Sequence, residues 1–175
     1  MRILVTGGVR SGKSTHAESL IGGAPATYVA TGTVPEREDD PDWAARIDAH
    51  RARRPASWGT LETQDLAAVL TEAEDPLLID CLGTWLTAVI DSADAWEHDA
   101  DAVHELVLAR TDEVVEALGR CEHDVVVVTN EVGLGVVPEH RSGRLFRDLL
   151  GTVNQRVAAA CDEVHLVVAG RVLRL

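Results

Sequence analysis

Residues 7–14 read Gly7-Gly8-Val9-Arg10-Ser11-Gly12-Lys13-Ser14 and directly follow a short apolar segment, residues 3–5. They match the pattern G-x-x-x-x-G-K-[ST], whose glycines let the backbone wrap around an anion. A helix is predicted from residue 14, and the positive end of its dipole would face the same anion. In this pattern the lysine contacts the terminal phosphates of a nucleotide and the serine hydroxyl ligates Mg²⁺. The stretch therefore predicts a nucleotide-phosphate loop between a buried strand and a helix.

Lys13 is the only lysine in the chain, and every other long cationic side chain is an arginine. A compact ammonium fits a crowded phosphate loop, whereas a planar guanidinium does not. The isolated lysine therefore supports a phosphate-binding role for the loop.

The composition predicts one globular domain with an acidic surface. The chain has 175 residues, of which 46% are hydrophobic, and a formal net charge of −13. Such a surface disfavours nucleic acid and anionic membranes as partners, and no apolar run is long enough to span a bilayer. The widely spaced cysteines Cys81, Cys121 and Cys161 form no CxxC pair. Each is expected to be a small buried side chain, and a reducing cytoplasm is the expected location.

Strands alternate with helices along the chain. Strands are predicted at 2–6, 26–30, 57–62, 76–81 and 124–129, and helices at 14–21, 42–54, 65–72, 84–90, 101–118 and 142–160. Residues 34–42 are predicted as a loop, and segments 163–169 and 172–175 as a hairpin that turns at Gly170. This order predicts an α/β fold: a P-loop NTPase-type, mostly parallel sheet flanked by helices, with strand 2–6 central and an antiparallel edge strand at the C-terminus.

Asp80 ends the apolar run Pro-Leu-Leu-Ile-Asp. A buried parallel strand would deliver this carboxylate to the sheet edge where α/β proteins bind ligands. Asp80 could there hold Mg²⁺ opposite Ser14, as a Walker-B carboxylate does. The alternative is a strand-end aspartate that caps the next helix and binds no metal.

A cluster of basic residues stands out in the acidic sequence: Arg46, His50, Arg51, Arg53 and Arg54. In one interpretation the arginines lie on a solvated helix face and the histidine has no role. In the other, the arginines bind phosphate oxygens, and the His50 imidazole attacks phosphorus to form a phosphoramidate. Neighbouring positive charge would keep the imidazole neutral, as a nucleophile must be.

Three further residues are weaker candidates. Glu62 and Glu131 follow predicted strands and could meet metal, ribose or a guanine edge, or could equally cap the next turn. His16 follows the phosphate loop closely enough to face its ligand.

Several stretches together resemble the bifunctional adenosylcobinamide kinase / adenosylcobinamide-phosphate guanylyltransferase family of cobalamin biosynthesis. The matching residues are 5–14, 28–31, 46–55, 58–62, 80–82, 129–138, 143–148, 151 and 154–155. The most specific are the segment His-Arg-x-x-Arg-Pro at 50–55 and the loop Asn-Glu-Val-Gly-x-Gly-Val-Val-Pro at 130–138.

The resemblance implies two reactions and a set of site residues. A nucleotide, ATP or GTP, phosphorylates the aminopropanol hydroxyl of adenosylcobinamide. GTP then gives GMP to His50, and the GMP passes to the substrate phosphate. Besides the loop, the implied nucleotide-binding residues are Gly32, Thr33, Val34, Arg51, Ala52, Arg53, Arg54, Glu62 and Asp80. The family is also known as a homotrimer.

The sequence departs from the family at two places. Some relatives carry two adjacent histidines where this chain has Ala49-His50, and many end with a lysine that this C-terminus lacks. The main alternative is a small-molecule P-loop kinase in which His50 is structural. A GTP-dependent switch protein would need an Asn-Lys-x-Asp motif, which a chain with a single lysine at position 13 does not contain.

Overall fold

The computed structural model describes residues 1–32, 45, 48, 51 and 54–175. Its strands are β1 (Arg2–Thr6), β2 (Ala26–Ala30), β3 (Trp58–Glu62), β4 (Leu77–Asp80), β5 (Val125–Val128), β6 (Glu163–Val168) and β7 (Arg171–Arg174). Its helices are α1 (Lys13–Ile21), α2 (Leu66–Thr71), α3 (Leu82–Ser92), α4 (Ala100–Arg120) and α5 (Arg141–Ala159). The predicted loop 34–42 lies outside the described residues. Of the predicted helix 42–54, residues 45, 48 and 51 are described as helical.

The seven described strands form one sheet in the order β3-β2-β4-β5-β1-β6-β7. Strands β1 to β6 are mutually parallel, and β7 pairs antiparallel with β6. The predicted fold class is thereby confirmed. The prediction that 2–6 is the central strand needs one correction: β1 is interior, but the middle place belongs to β5, a run of four fully buried valines.

Alternation along the strands divides the core between the two faces of the sheet. Val125 and Val127 face a cluster formed with α2, α3, α4 and α5, whereas Val126 and Val128 face the cluster that contains Ala17 of α1. The helix after the phosphate loop thus occupies the opposite face from the other described helices. Among the described helices, none combines the length and apolarity that crossing a bilayer requires.

Helix α3 begins at Leu82, two residues earlier than predicted, because Cys81 caps it. The Cys81 amide donates to Thr84 Oγ1 at 3.3 Å, and Thr84 Oγ1 in turn donates to the Cys81 carbonyl at 3.0 Å. The first of these bonds satisfies the Cys81 amide, one of the groups that a helix start otherwise leaves unpaired.

The expectation that all three cysteines are buried is wrong for two of them. Cys81 is buried, but Cys121 and Cys161 are half-buried. Both of these follow the last turn of a helix, α4 and α5 respectively, where the chain leaves the core.

Helix α1 is joined to β6 by a pair of imidazoles. Glu163 is hydrogen-bonded to His165 Nε2 at 2.8 Å, and His165 Nδ1 to His16 Nε2 at 2.9 Å. Since a carboxylate only accepts, His165 Nε2 carries a proton, and in the neutral ring its Nδ1 then accepts from His16 Nε2. His165 is fully buried. His16 therefore contacts the sheet, and the expectation that it faces a phosphate ligand is wrong.

Lowering the pH is expected to destabilise the protein through His16. Burial, followed by the neighbouring His165, lowers the pKa of His16 from its usual 6.5. The unfolded chain therefore binds a proton on His16 at about pH 6.5, whereas the folded protein binds it only at a lower pH. The free energy of unfolding is therefore unaffected by this histidine above about pH 6.5 and decreases as the pH falls below it. Urea unfolding at about pH 7.5 and about pH 5.5 measures the difference. His16→Gln should lose less stability over this interval than the wild type, and an equal loss would contradict the assignment.

Candidate active site

The loop between β1 and α1 passes too close to β6 for a side chain at its first glycine. Gly7 has φ +154°, and a Cβ there would lie 2.4 Å from the Val167 carbonyl oxygen and 2.8 Å from Ser11 Oγ. Gly12, the N-cap of α1, has φ +96° in the left-handed region. These two positions need glycine because of space at the first and backbone conformation at the second.

The loop is folded around one of its own carbonyls. The Gly8 carbonyl accepts from the Ser11 amide at 3.3 Å and from the Lys13 ammonium at 3.2 Å. Lys13 is buried, with 6% of its surface exposed, so its charge is held inside the loop. The Ser11 hydroxyl is buried without a hydrogen-bond partner. A cradle of this kind, with a buried ammonium and an unpaired hydroxyl, suits an anion that supplies acceptor oxygens.

Two other segments hold the loop in place. The Gly170 amide, in the turn of the C-terminal hairpin, donates to the Ser11 carbonyl at 2.8 Å, and the Glu131 amide donates to the Gly7 carbonyl at 3.2 Å. The hairpin thus forms as predicted although the C-terminus lacks the lysine found in relatives. Val9 and Arg10 are exposed at the tip of the loop.

The two predicted acidic residues stand in one row at the carboxyl edge of the sheet. Glu62 and Asp80 both pair with Ala30, and Asp80 also pairs with Val128, which pairs with Val5. Strands are about 5 Å apart, so Asp80 lies roughly 10 Å across the sheet from Val5, which precedes the phosphate loop. Helix α1 packs across β5 and β4. The helix that carries Ser14 therefore adjoins the strand that carries Asp80.

Tyr28 connects Asp80 to the basic segment, a role that the sequence analysis missed. Its hydroxyl donates to Asp80 Oδ2 at 3.2 Å, and the Arg54 guanidinium carbon lies 3.2 Å from its ring centroid. Burial, reinforced by the negative charge of Asp80, raises the pKa of Tyr28 well above its usual value, so the phenol keeps its proton and donates. The Arg54 guanidinium thus lies over the face of the Tyr28 ring, and this cation–π contact stabilises the arginine in that position. One feature of the sequence could have indicated this role: Tyr28 is the only tyrosine of the chain and lies two residues before the end of a predicted strand.

The remaining described arginine of the cluster is held by the strand edge. Arg51 pairs with Glu62 at 2.7 Å, and Arg54 also donates to the Thr60 hydroxyl at 3.1 Å. Arg51 and Glu62 are each about half exposed, at 49% and 48%. Exposed pairs contribute on the order of 0 to 1 kcal/mol, so Arg51 can exchange Glu62 for another anion at little cost.

The structure brings most of the predicted site residues to one edge and one face of the sheet. Gly32 follows β2, and a Cβ there would lie 3.3 Å from Thr84 Cβ. Thr31, just before it, donates to the Cys81 carbonyl at 2.7 Å and so joins the ends of β2 and β4. Outside the described residues lie Thr33, Val34, Arg46, His50, Ala52 and Arg53.

A glycine loop with a buried lysine, leading from an interior parallel strand into a helix beside an acidic strand end, defines a P-loop nucleotide-binding protein. A family profile described as "CobU: Cobinamide kinase / cobinamide phosphate guanyltransferase" matches residues 3–175. The chain belongs to this family.

Curated relatives match almost end to end. The protein named "Bifunctional adenosylcobalamin biosynthesis protein CobU" of Salmonella typhimurium is 45% identical, over 97% of each chain. The protein of the same name from Escherichia coli is 43% identical, again over 97% of each. "Bifunctional adenosylcobalamin biosynthesis protein CobP" of Pseudomonas aeruginosa is 39% identical over 97% of this chain and 94% of its own.

Gly7→Ala should disrupt the loop, whereas Gly8→Ala should be tolerated. The added methyl at position 7 collides with the Val167 carbonyl, but at position 8 a Cβ meets nothing within 4 Å. We expect Gly7→Ala to lose about 1–3 kcal/mol of unfolding free energy and to weaken nucleotide binding. Denaturant unfolding and titration with a fluorescent GTP analogue measure both quantities. Equal behaviour of the two variants would contradict the steric explanation.

Proposed function

We propose that this protein phosphorylates adenosylcobinamide with ATP or GTP and then transfers GMP from GTP, through a covalent GMP-His50 intermediate, to adenosylcobinamide phosphate. The products of the second reaction are adenosylcobinamide-GDP and pyrophosphate. The observation that carries the proposal is the convergence of the phosphate loop, Asp80 and the Arg51–Arg54 pair on one edge of the sheet, on the face covered by α1. Family membership supports the two activities.

In the kinase reaction, the substrate hydroxyl oxygen attacks the γ-phosphorus. The bond from that phosphorus to the β,γ-bridging oxygen breaks, and the hydroxyl proton leaves to solvent. Lys13 and the loop amides would bind the β- and γ-phosphate oxygens, where negative charge develops. The supporting observation is the burial of the Lys13 ammonium inside the loop, since a cation shielded from water acts more strongly on the phosphate.

Mg²⁺ fits the residues at this edge. The Ser14 hydroxyl and the Asp80 carboxylate are hard oxygen donors of the kind that Mg²⁺ prefers. The hydrogen bond from Tyr28 occupies one oxygen of Asp80 and would orient the other. When bound, the ion would neutralise charge on the β- and γ-phosphates.

In the second reaction, an imidazole nitrogen of His50 attacks the α-phosphorus of GTP. The bond to the α,β-bridging oxygen breaks and pyrophosphate leaves, so that His50 carries GMP as a phosphoramidate. A phosphate oxygen of the substrate then attacks the same phosphorus, the nitrogen–phosphorus bond breaks, and the imidazole is recovered. In both reactions the loop holds the β- and γ-phosphates, which make up the leaving group in the second.

The arginines would hold the triphosphate beyond the loop. Arg51 immediately follows His50 in the sequence, and its exposed pairing with Glu62 leaves it able to move to a phosphate oxygen. Arg54 is fixed more firmly, because it both stacks on Tyr28 and donates to Thr60. We include Gly32, Thr33, Val34, Ala52, Arg53 and Glu62 in the nucleotide site, and a cytoplasmic homotrimer as the working assembly.

Mass spectrometry after exposure to GTP tests the covalent intermediate. We expect a mass increase equal to GMP, located on His50 by peptide mapping, acid-labile, and absent from His50→Ala. His104→Ala, which changes an exposed histidine on α4, is the matched control and should be labelled like the wild type. Wild-type protein that phosphorylates cobinamide but never acquires label would favour the single-function kinase instead.

Lys13→Ala and His50→Ala should separate the two reactions. Lys13→Ala removes the cation that both reactions need, so we expect both rates to fall by about 10² to 10³. His50→Ala should lose only the transfer of GMP, because the imidazole takes no part in moving the γ-phosphoryl group. Rates of cobinamide phosphorylation and of pyrophosphate release measure the two reactions separately. Full kinase activity in Lys13→Ala would contradict a shared phosphate site.

A further inference from the structure

A depression of roughly 630 Å³ lies between α3 and α5, outside the phosphate site. Its lining combines two aromatic side chains with hydroxyl, carboxylate and backbone groups: Thr87, Trp96, Glu97, Ser142, Gly143 and Phe146. Ligand sites commonly have this composition, in which apolar surface provides affinity and a few polar groups fix orientation.

The walls of the depression are held by specific contacts. The Trp96 indole donates to Asp91 at 2.5 Å, and the Arg141 guanidinium donates to the carbonyls of Trp96 and His98. At Gly143 a Cβ would lie 2.8 Å from Pro138, so the loop before α5 packs directly on that helix. The shape is therefore built into the fold.

An unusually exposed apolar loop borders the depression. In residues 130–138, Leu134 and Val136 are 88% and 95% exposed, and Val137 is 59% exposed. The loop is nevertheless attached to α5 by hydrogen bonds. Arg147 donates to the Gly133 carbonyl at 3.3 Å, and Arg144 donates to the Pro138 carbonyl at 3.2 Å. Neighbouring aliphatic side chains held in water in this way are typical of a surface that binds an apolar partner.

The loop and the depression are continuous with the phosphate site. At one end of the loop the Glu131 amide binds the Gly7 carbonyl, and at the other Pro138 packs on Gly143. A second connection runs through α3: a Cβ at Gly83 would lie 3.7 Å from Phe146 and 3.0 Å from Asn130 Nδ2. Gly83 is three residues beyond Asp80. The loop 130–138 therefore runs from the phosphate loop to the depression.

We propose that the depression and the apolar loop bind the corrin ring of the second substrate, with its hydroxyl-bearing arm directed along residues 131–138 toward the phosphate loop. This inference rests on the proposed function, which requires a large substrate with one phosphate-accepting arm. A corrin is a broad apolar macrocycle fringed with amides. Trp96 and Phe146 would contact the ring, Leu134 and Val136 would cover it, and Thr87, Ser142 and Glu97 would bind the amides.

Three of the arginines of α5, those in its first two turns, have a structural role that fits this proposal. Arg141, Arg144 and Arg147 all donate to backbone carbonyls of the surrounding segments. They build the ring-binding surface, whereas Arg51 and Arg54 remain the described cations of the basic segment beside the carboxylates.

Equilibrium dialysis with cobinamide, followed by the corrin absorbance, tests the proposal. Ser142→Trp fills the depression from an exposed position, and Val136→Asp charges the apolar loop. Leu175→Asp, which charges a 73% exposed leucine at the end of the chain, is the matched control. We expect the first two variants to raise the cobinamide Kd by about tenfold or more and the control to leave it unchanged. Incorporation of GMP from GTP alone, measured in parallel, should continue in all three.

The outcomes distinguish this inference from the proposed function. If Ser142→Trp and Val136→Asp both keep the cobinamide Kd of the wild type, the inference is wrong, and the proposed reactions are unaffected. A change of oligomeric state, measured by light scattering, with unchanged cobinamide Kd would overturn it in favour of a contact between copies. Wild-type protein that neither binds nor phosphorylates cobinamide would overturn the proposed function itself.

Discussion

The approach of the Gly7 backbone to the Val167 carbonyl constrains the rest of the structure. A Cβ at position 7 would lie 2.4 Å from that oxygen, so the residue that follows β1 must be a glycine. The chain then turns around the Gly8 carbonyl and enters α1 through the left-handed Gly12. This path fixes where α1 begins and buries the ammonium of Lys13. The hairpin β6–β7 therefore supports the phosphate loop, because β6 supplies the Val167 carbonyl beside Gly7 and the Gly170 amide in its turn donates to the Ser11 carbonyl.

A protein with net charge −13 must concentrate positive charge to bind a triphosphate. The described residues place positive charge near one edge of the sheet in two different ways. Lys13 is enclosed by its own loop, so water screens it little. Arg54 lies on the ring of Tyr28, whose neutral hydroxyl in turn binds Asp80. The tyrosine thereby contacts both a cation and a carboxylate of the site.

The loop 130–138 and the start of α5 differ from this charged edge in composition. At the start of α5, Arg141, Arg144 and Arg147 donate to backbone carbonyls, and aliphatic side chains of the loop 130–138 are exposed to water. A charged edge thus adjoins an apolar surface, joined by one loop. That pairing suits a reaction between a highly charged nucleotide and a large, mainly apolar acceptor.

The sequence alone determined the phosphate loop, nearly all strand positions and the parallel orientation of the strands, because these depend on local motif spacing and on short apolar runs. It also identified Asp80 and Glu62 as strand-end carboxylates, which the register then placed in one row. Only the tertiary structure decided that Tyr28 links Arg54 to Asp80, and that His16 turns to His165, 149 positions away, and not to a phosphate. Such contacts join side chains from different strands and helices. They depend on how the sheet is ordered and which face each helix covers, and no local pattern of residues encodes that arrangement.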